Sequence, residues 1–241
     1  MRRALLTLAF WAASTCALAD VQPTTCAVQS HEGAEYTVCT VNDPSVLRLH
    51  LKGDDGEVIG SFRRLEAAQG PLPFAMNAGM YHSDRSPVGY YVEDSVEIMR
   101  VIPNAGPGNF GLLPNGILCI TPNAVRAIET LAFQQSPQSC VHATQSGPMF
   151  VIDGKLHPRF LPQSTFTNIR NGVGTTDNGK TAYFVMSNGA VTFHQMALFF
   201  RDALKTPNAL YFDGRISKLH APSLGRADIG QPMGPIISAS H

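Results

Sequence analysis

Short apolar segments separated by glycine-containing polar clusters run along most of this chain and leave little room for long helices. Segments of four to seven residues, such as "PFAMN", "GILCIT", "MFVI" and "TAYFVMS", are bounded by Gly, Pro, Asn, Asp or Thr, a pattern typical of short strands. The 21 glycines and 17 prolines agree with it, because both residues favour turns over helix interiors. We therefore predict an α+β fold, a strand-rich single domain with mixed sheets and few helices.

The periodicity of the apolar residues gives the individual elements. Residues 35–41 and 46–52, "EYTVCTV" and "VLRLHLK", are predicted to form a first hairpin across Asn42-Asp43-Pro44. "VGYYVE", "VEIMRV", "AVTFH" and "NALYF" are predicted to be further strands. Ser61 is expected to cap a short helix, and residues 195–204 form the clearest helix, which Pro207 stops. Its apolar stripe at helical spacing is interpreted as a core contact, with members Met196, Phe199, Phe200 and Ala203.

The N-terminal segment is typical of a cleaved secretory signal. It has two arginines, an apolar stretch at 4–13, and Ala17-Leu18-Ala19 before Asp20. Its apolar core is too short to span a bilayer. We expect a signal peptide at residues 1–19 and a single domain at 20–241, a mature chain of 241 − 19 = 222 residues. This chain is expected to be periplasmic or secreted and not inserted in a membrane.

Four cysteines remain after such a cleavage, an even number that favours disulfides in an oxidising compartment. Local closure is the simplest pairing and predicts Cys26–Cys39 and Cys119–Cys140. A metal site is not expected, because the sequence has no CxxC and no HExxH motif.

The charge pattern excludes two classes of partner. The chain has 18 basic and 18 acidic residues, and the bases are scattered. We therefore expect no nucleic-acid partner, because such binding needs a concentrated basic surface. No basic amphipathic stretch indicates binding to a membrane surface either.

Two catalytic motifs are rejected on their context. "GTTDNGKT" (174–181) satisfies the P-loop pattern, but that loop works only between a buried strand and a helix. Here the following "AYFVM" is strand-like, so a hairpin with Asp177-Asn178-Gly179 at its tip is predicted. The "ATQSGP" segment around Ser146 is not a nucleophile elbow, because Thr144 stands where that motif has Gly. No cofactor is expected.

Asp-Gly follows an apolar run twice, in "FVIDGKL" (150–156) and in "NALYFDGRIS" (208–217). Asp-Gly is a common hairpin signal, because the turn needs positive φ angles and Gly adopts them without steric cost. The local pattern alone therefore interprets both Asp153 and Asp213 as turn residues, and only their neighbours can distinguish them.

Five clusters that combine Gly with polar residues stand at the ends of apolar segments: "MNAGMY" (76–81), "PGNFGLLPNG" (107–116), "ATQSGPMF" (143–150), "IRNGVG" (169–174) and "YFDGRIS" (211–217). Gly allows the backbone to approach a ligand closely and to aim its N–H groups at it. Together these ordered segments resemble the phosphodiester glycosidase family, over about residues 74–237.

The resemblance implies an active site and gives Asp213 more weight than Asp153, which matches a hairpin segment of the family. Asp213 is the expected catalytic carboxylate, and Arg170 is the expected phosphate clamp, since guanidinium matches phosphate oxygens bidentately. The Asp-Gly-Gly common in the animal enzymes of the family is replaced here by Asp213-Gly214-Arg215, which adds bulk and charge near the pocket. The expected substrate-binding residues are Asn77, Gly79, Tyr81, Gln145, Ser146, Asn171 and Ser217.

Two functions of different class follow from this resemblance. The first is an exported glycosidase that hydrolyses a glycosyl-1-phosphodiester, with a phosphorylated glycan or a sugar-1-phosphodiester as its partner. The second is a noncatalytic module that binds a phosphosugar or a cell-surface glycan with the same clusters. His82 and His220 stand near two of the clusters and are candidate proton carriers, although ordinary polar positions explain both.

Overall fold

The structure, a computed structural model, describes residues 23–213 and 215–240. The predicted signal peptide lies outside the described residues. Within them, seventeen strands form three sheets, and every strand pairing is antiparallel. The strand-rich fold with few helices is confirmed. The sheets are antiparallel, whereas mixed sheets were expected.

The largest sheet has seven strands and contains parts of three of the five clusters, "ATQSGPMF", "IRNGVG" and "YFDGRIS". In spatial order its strands are β1 (Thr24–His31), β2 (Ala34–Val41), β13 (Ala182–Ser187), β12 (Asn171–Thr175), β14 (Asn208–Tyr211), β10 (Met149–Ile152) and β11 (Lys155–Leu156). Asn171 begins the central strand β12, and Asp213 follows the end of its neighbour β14.

Two five-stranded sheets complete the fold. One has the order β16 (Arg226–Ala227), β15 (Leu219–Ala221), β4 (Phe74–Asn77), β17 (Ile236–Ala239) and β3 (Leu47–His50). The other has the order β6 (Val96–Met99), β5 (Tyr91–Glu93), β9 (His142–Ser146), β7 (Gly116–Thr121) and β8 (Ala124–Glu129). The polar segment that includes Gln145 and Ser146 is thus part of strand β9.

Each sheet contributes one face to a shared apolar core and packs a short helix on its other face. In β13, Phe184 and Met186 belong to the shared core, while Val185 packs on the helical side, as the alternation of a strand requires. The helix on the seven-stranded sheet is α3 (Phe193–Leu198), continued by a π-helical turn at Phe199–Ala203. The helices on the other two sheets are α1 (Phe62–Gln69) and α2 (Thr130–Gln135).

The predicted helices are present with shifted bounds. The Ser61 hydroxyl caps α1 by accepting from the Arg64 N–H. The second helix begins at Phe193, two residues earlier than expected, because Thr192 and Gln195 form a capping box. Its stripe residues Met196, Phe199 and Phe200 are buried, as expected for a core contact, whereas Ala203 was wrongly included and is exposed. "AVTFH" was therefore wrongly predicted as a strand, since these capping interactions favour a helix start.

The predicted hairpin between residues 35–41 and 46–52 is wrong. Strand β2 pairs with β1 and β13, whereas β3 pairs with β17 in another sheet. The real hairpin turns at Glu32-Gly33, where both residues have positive φ angles. Pro44 instead starts a short 3-10 helix, Pro44–Val46, that carries the chain from one sheet to the next.

The structure confirms the interpretation of the P-loop-like segment. Strands β12 and β13 pair directly, and Gly179 has a φ angle of 69° in the turn that joins them. A strand follows this segment, so it lacks the helix N-terminus that a P-loop needs.

Both predicted disulfides are present. Cys26–Cys39 joins directly opposite positions of β1 and β2, and Cys119–Cys140 joins β7 to the residues before β9. Both bonds fit an oxidising compartment. In the described part of the chain, no helix is both long and apolar enough to cross a membrane.

Reduction of Cys119–Cys140 is expected to lower the free energy of unfolding by roughly 2–4 kcal/mol, because the reduced chain gains conformational entropy when unfolded. Chemical denaturation of Cys119→Ser/Cys140→Ser against the oxidised protein measures this difference. Free thiols at these two positions in mass mapping of the oxidised protein would contradict the pairing.

Stability is also expected to fall as the pH drops from about 6.5 towards 4. Burial lowers the pKa of His50 and of His157 from 6.5 to about 4, so the unfolded chain takes up protons in this window before the folded protein does. In this window each histidine should add up to about one proton to the uptake on unfolding, and this uptake sets the slope of the free energy of unfolding against pH. Urea unfolding at stepped pH should show a flatter slope in His50→Gln, whereas exposed His82→Gln serves as the control. An unchanged slope in His50→Gln would refute the assignment.

Candidate active site

The segments that follow β4 and β14 enclose a cavity of about 550 Å³. It combines one carboxylate with several basic side chains and with aromatic and apolar surface. Asp213 is half-buried at this cavity, Arg85 is half-buried as well, and Arg215 is exposed. The lining residues are Met80, Tyr81, His82, Ser83, Arg85, Val88, Asp213, Arg215, Ile216 and Gln231.

Two buried asparagines hold the irregular segment that carries Asp213. The Asn171 Nδ2 donates to the Asp213 carbonyl and, at 2.7 Å, to the Ser217 hydroxyl. The Asn171 Oδ1 accepts from the Asp213 N–H at 3.3 Å and from the Asn77 Nδ2 at 3.2 Å. The Asn77 Oδ1 accepts from the Lys218 N–H at 3.0 Å. Both ends of segment 213–218 are therefore fixed to side chains from two different sheets.

Ser146 fixes the same segment from the third sheet. Its hydroxyl, at the end of β9, is fully buried and donates to the Phe212 carbonyl at 2.7 Å. The structure thus brings Asn77, Ser146, Asn171, Asp213 and Ser217 together. It also shows the asparagine amides and the Ser146 hydroxyl engaged with the protein, so they position the Asp213 segment.

The two Asp-Gly copies have different environments. Asp153 and Gly154 have φ angles of 47° and 76° in the tight hairpin between β10 and β11, which confirms the hairpin prediction for Asp153. Asp213 follows β14 in a segment without strand pairing, and its Oδ1 accepts from the Arg215 N–H at 2.9 Å. The second copy therefore presents its carboxylate to a cavity.

Arg170 is buried next to this network, with only 1% of its surface exposed. Its Nε donates to the Val191 carbonyl at 2.8 Å, and its Nη2 donates to the Phe166 carbonyl at 3.2 Å. The guanidinium carbon lies 3.6 Å from the ring centre of Phe193. Burial lowers the pKa of Arg170, but a guanidinium stays charged. Arg170 is not among the residues that line the cavity containing Asp213.

Gln145 lies away from the cavity, and its side chain bonds to the protein. Its Oε1 accepts from the Tyr90 and Ile102 N–H groups, and its Nε2 donates to the Ile102 carbonyl and the Thr130 hydroxyl. These bonds connect the segment around Ile102 to β9. Gln145 therefore has a structural role here, and the sequence-based assignment to substrate binding has no support from its position.

Of Gly79 and Tyr81, only Tyr81 lines the cavity that contains Asp213, whereas Gly79 packs against β9. Gly79 has a φ angle of 141°, and a Cβ there would lie 2.7 Å from the Thr144 hydroxyl, so the close approach to β9 needs glycine. Tyr81 lines the cavity, with the Arg85 guanidinium carbon 5.2 Å from its ring centre. Burial, with a further contribution from Asp213, raises the pKa of Tyr81.

Of the two histidines near the clusters, only His82 lines the cavity. The His220 Nε2 lies 3.1 Å from a Glu66 carboxylate oxygen, in a separate pocket beside α1. Sequence reasoning missed Arg85, because no motif includes it and only the turn after Tyr81 directs it into the cavity. Residues 23–213 and 215–240 contain no group of three or more His, Cys, Asp or Glu side chains arranged to hold a metal ion.

Comparisons with known proteins agree on one family. The pattern of the phosphodiester glycosidase family matches residues 72–220. The uncharacterized protein YigE of Escherichia coli (strain K12) is 32% identical over 220 residues, which are 90% of this chain and 82% of that protein.

Two solved structures share the fold. The catalytic domain of zebrafish N-acetylglucosamine-1-phosphodiester alpha-N-acetylglucosaminidase, auto-inhibited by its pro-peptide, aligns with a TM-score of 0.62 and 11% identity over 90% of this chain and 82% of that chain. A hypothetical protein from Synechocystis aligns with a TM-score of 0.58 and 14% identity over 91% of this chain and 64% of that chain. At these identities the likeness concerns the fold.

Proposed function

The chain belongs to the phosphodiester glycosidase family, and we propose that it hydrolyses a glycosyl-1-phosphodiester to a free sugar and a phosphomonoester. The observation that supports this most directly is the shared cavity of Asp213, Arg85 and Arg215. A substrate of this class carries a phosphate anion next to an electrophilic anomeric carbon. In such a cavity the cations suit the phosphate, and the single carboxylate suits the reaction at the anomeric carbon.

In the proposed reaction, the bond between the anomeric carbon and the phosphate oxygen breaks, and the bond electrons leave with the phosphomonoester. The oxygen of water finally bonds to the anomeric carbon. Asp213 either takes the proton of that water or first forms a glycosyl ester that water then hydrolyses. The leaving phosphomonoester is a stable anion, so it needs less protonation than the alcohol of an ordinary glycoside, where two carboxylates share the work.

The basic residues would hold the phosphate. Arg85 and Arg215 supply positive charge at the cavity itself, and Arg170 is proposed as the clamp at its inner side. Two carbonyls accept the Nε N–H and one Nη2 N–H of Arg170. Of the three remaining guanidinium donors, one is directed at the Tyr211 hydroxyl, and the others are proposed to bind phosphate oxygens. Tyr81 is proposed to contact the sugar ring, while Asn77, Asn171, Ser146 and Ser217 keep Asp213 in place.

We further propose that the protein acts outside the cytoplasm, in the periplasm or as a secreted protein. The two disulfides support this location, as does the signal-like sequence of residues 1–19. A phosphorylated glycan at a cell surface is a substrate that such a location provides.

Asp213→Asn is expected to reduce turnover of a glycosyl-1-phosphodiester at least ~10³-fold, about 4 kcal/mol of barrier. The amide keeps the size and the acceptor oxygen that faces the Arg215 N–H, so folding should change little. Asp153→Asn is the matched control, because Asn-Gly forms the same type of turn. Near-normal turnover in Asp213→Asn, or a larger loss in Asp153→Asn, would refute the assignment. Tight phosphosugar binding without any wild-type turnover would favour the noncatalytic module.

Arg215→Gln is expected to raise the KM for the phosphodiester about tenfold or more, because an ion-assisted contact with the phosphate is lost. Inhibition by inorganic phosphate should weaken in parallel. Arg63→Gln is the control, since Arg63 is an exposed arginine on α1 that lines a different pocket. Equal KM values in the two variants would show that Arg215 does not contact the phosphate.

A further inference from the structure

Tyr211, the last residue of β14, has a fully buried hydroxyl. The side chain is fully buried, and within the described chain its oxygen has no hydrogen-bond partner of regular geometry. Leaving a buried polar group unpaired costs stability. Such a group in a folded protein calls for an explanation, of which a catalytic role or a bound ion is one. The reaction proposed above does not use Tyr211.

The groups that face this hydroxyl are donors. The Arg170 guanidinium and the Asn109 side chain both lower the pKa of Tyr211, which is the effect of groups that donate towards a phenol oxygen. Burial is the stronger influence and raises the pKa of Tyr211 well above its usual value, so the hydroxyl keeps its proton. N–H groups therefore point towards the lone pairs of the hydroxyl oxygen, while the hydroxyl's own proton is donated to no group of the described chain.

Phe193 fixes the cation and the hydroxyl relative to each other. The Arg170 guanidinium carbon lies 3.6 Å from the centre of the Phe193 ring. The Tyr211 ring stands edge-on to the same ring, with 4.9 Å between the centres and an interplanar angle of 89°. Both side chains are thus held by packing before any ligand arrives, which is the condition for a preorganised binding site.

The donor group lies next to the cavity of Asp213. The Asp213 carboxylate is close enough to raise the pKa of Tyr211 further. Met80 lines the cavity and also packs against the apolar cluster that contains Tyr211 and Phe193. Met80 is therefore a residue shared by the cavity and this cluster, and a flexible methionine side chain adapts easily to a ligand.

We propose that Tyr211, Asn109 and Arg170 form a site for one anionic phosphoryl oxygen of the substrate. The Tyr211 O–H and the N–H groups of the other two residues would converge on that oxygen once the Met80 side chain moves aside. The site rests on the proposed function and deepens it, because it assigns the inner end of the cavity to the phosphate. It would also stabilise the negative charge that grows on the leaving phosphomonoester.

Tyr211→Phe tests the role of the unused O–H. The variant should lose about 10- to 100-fold in kcat/KM for a glycosyl-1-phosphodiester, the usual loss for one hydrogen bond to a charged group. Its Tm should be equal to or higher than that of the wild type, because an unpaired buried hydroxyl is removed. Tyr36→Phe is the matched control, a buried tyrosine of the same apolar cluster on β2, and it should leave kcat/KM unchanged. A Tyr211→Phe variant that loses Tm together with activity would overturn the proposal in favour of a structural role.

A binding measurement with inorganic phosphate separates this site from the reaction. Phosphate should raise the Tm of the wild type and of Tyr36→Phe, and this shift should shrink in Tyr211→Phe. If the wild type shows the Tyr211-dependent shift but no turnover, the phosphoryl site stands and the hydrolase proposal fails. If the wild type hydrolyses the substrate while Tyr211→Phe matches it in turnover and in phosphate shift, the site is overturned and the hydrolase proposal stands.

Discussion

The Asn171 side chain is the interaction on which the arrangement of the candidate site depends. It is fully buried at the start of β12, and its amide contacts the backbone N–H and carbonyl of Asp213, the Ser217 hydroxyl and the Asn77 side chain. An irregular segment cannot satisfy its own backbone groups, so buried side chains must do so. Asn171 satisfies them here and in doing so sets where the Asp213 carboxylate lies.

This arrangement needs all three sheets. Asn77 comes from one five-stranded sheet, Ser146 from the other, and Asn171 from the seven-stranded sheet. The apolar core that the three sheets share fixes the distances between these strands, because protein interiors are close-packed and have low compressibility. Precise placement of the carboxylate is therefore a property of the whole domain, although Asp213 itself belongs to no strand or helix.

Sequence patterns predicted several elements well and failed where pairing depends on distant residues. The helix capped by Ser61, the turn at Asp153-Gly154 and the two disulfides followed from local chemistry. The hairpin expected around Asn42-Asp43-Pro44 failed, because β3 pairs instead with β17, near the other end of the chain. Alternation identifies a strand but does not identify the strand that pairs with it. For the same reason the sequence did not show that the Gln145 side chain bonds to the backbone of Tyr90 and Ile102.

The sequence by itself determined the strand-rich class, the local closures and the set of polar clusters that form one family pattern, since these depend on short-range preferences and on ordered motifs. Only the tertiary structure decided which members of those clusters face the cavity. It placed Asp213 beside Arg85 and Arg215 and bonded the Asn77, Asn171 and Ser146 side chains to the protein. Among the described residues it also left the Tyr211 hydroxyl without a hydrogen bond of regular geometry. The physical reason is that the role of a polar side chain depends on the groups it contacts, and those groups come from strands that are far apart in the sequence.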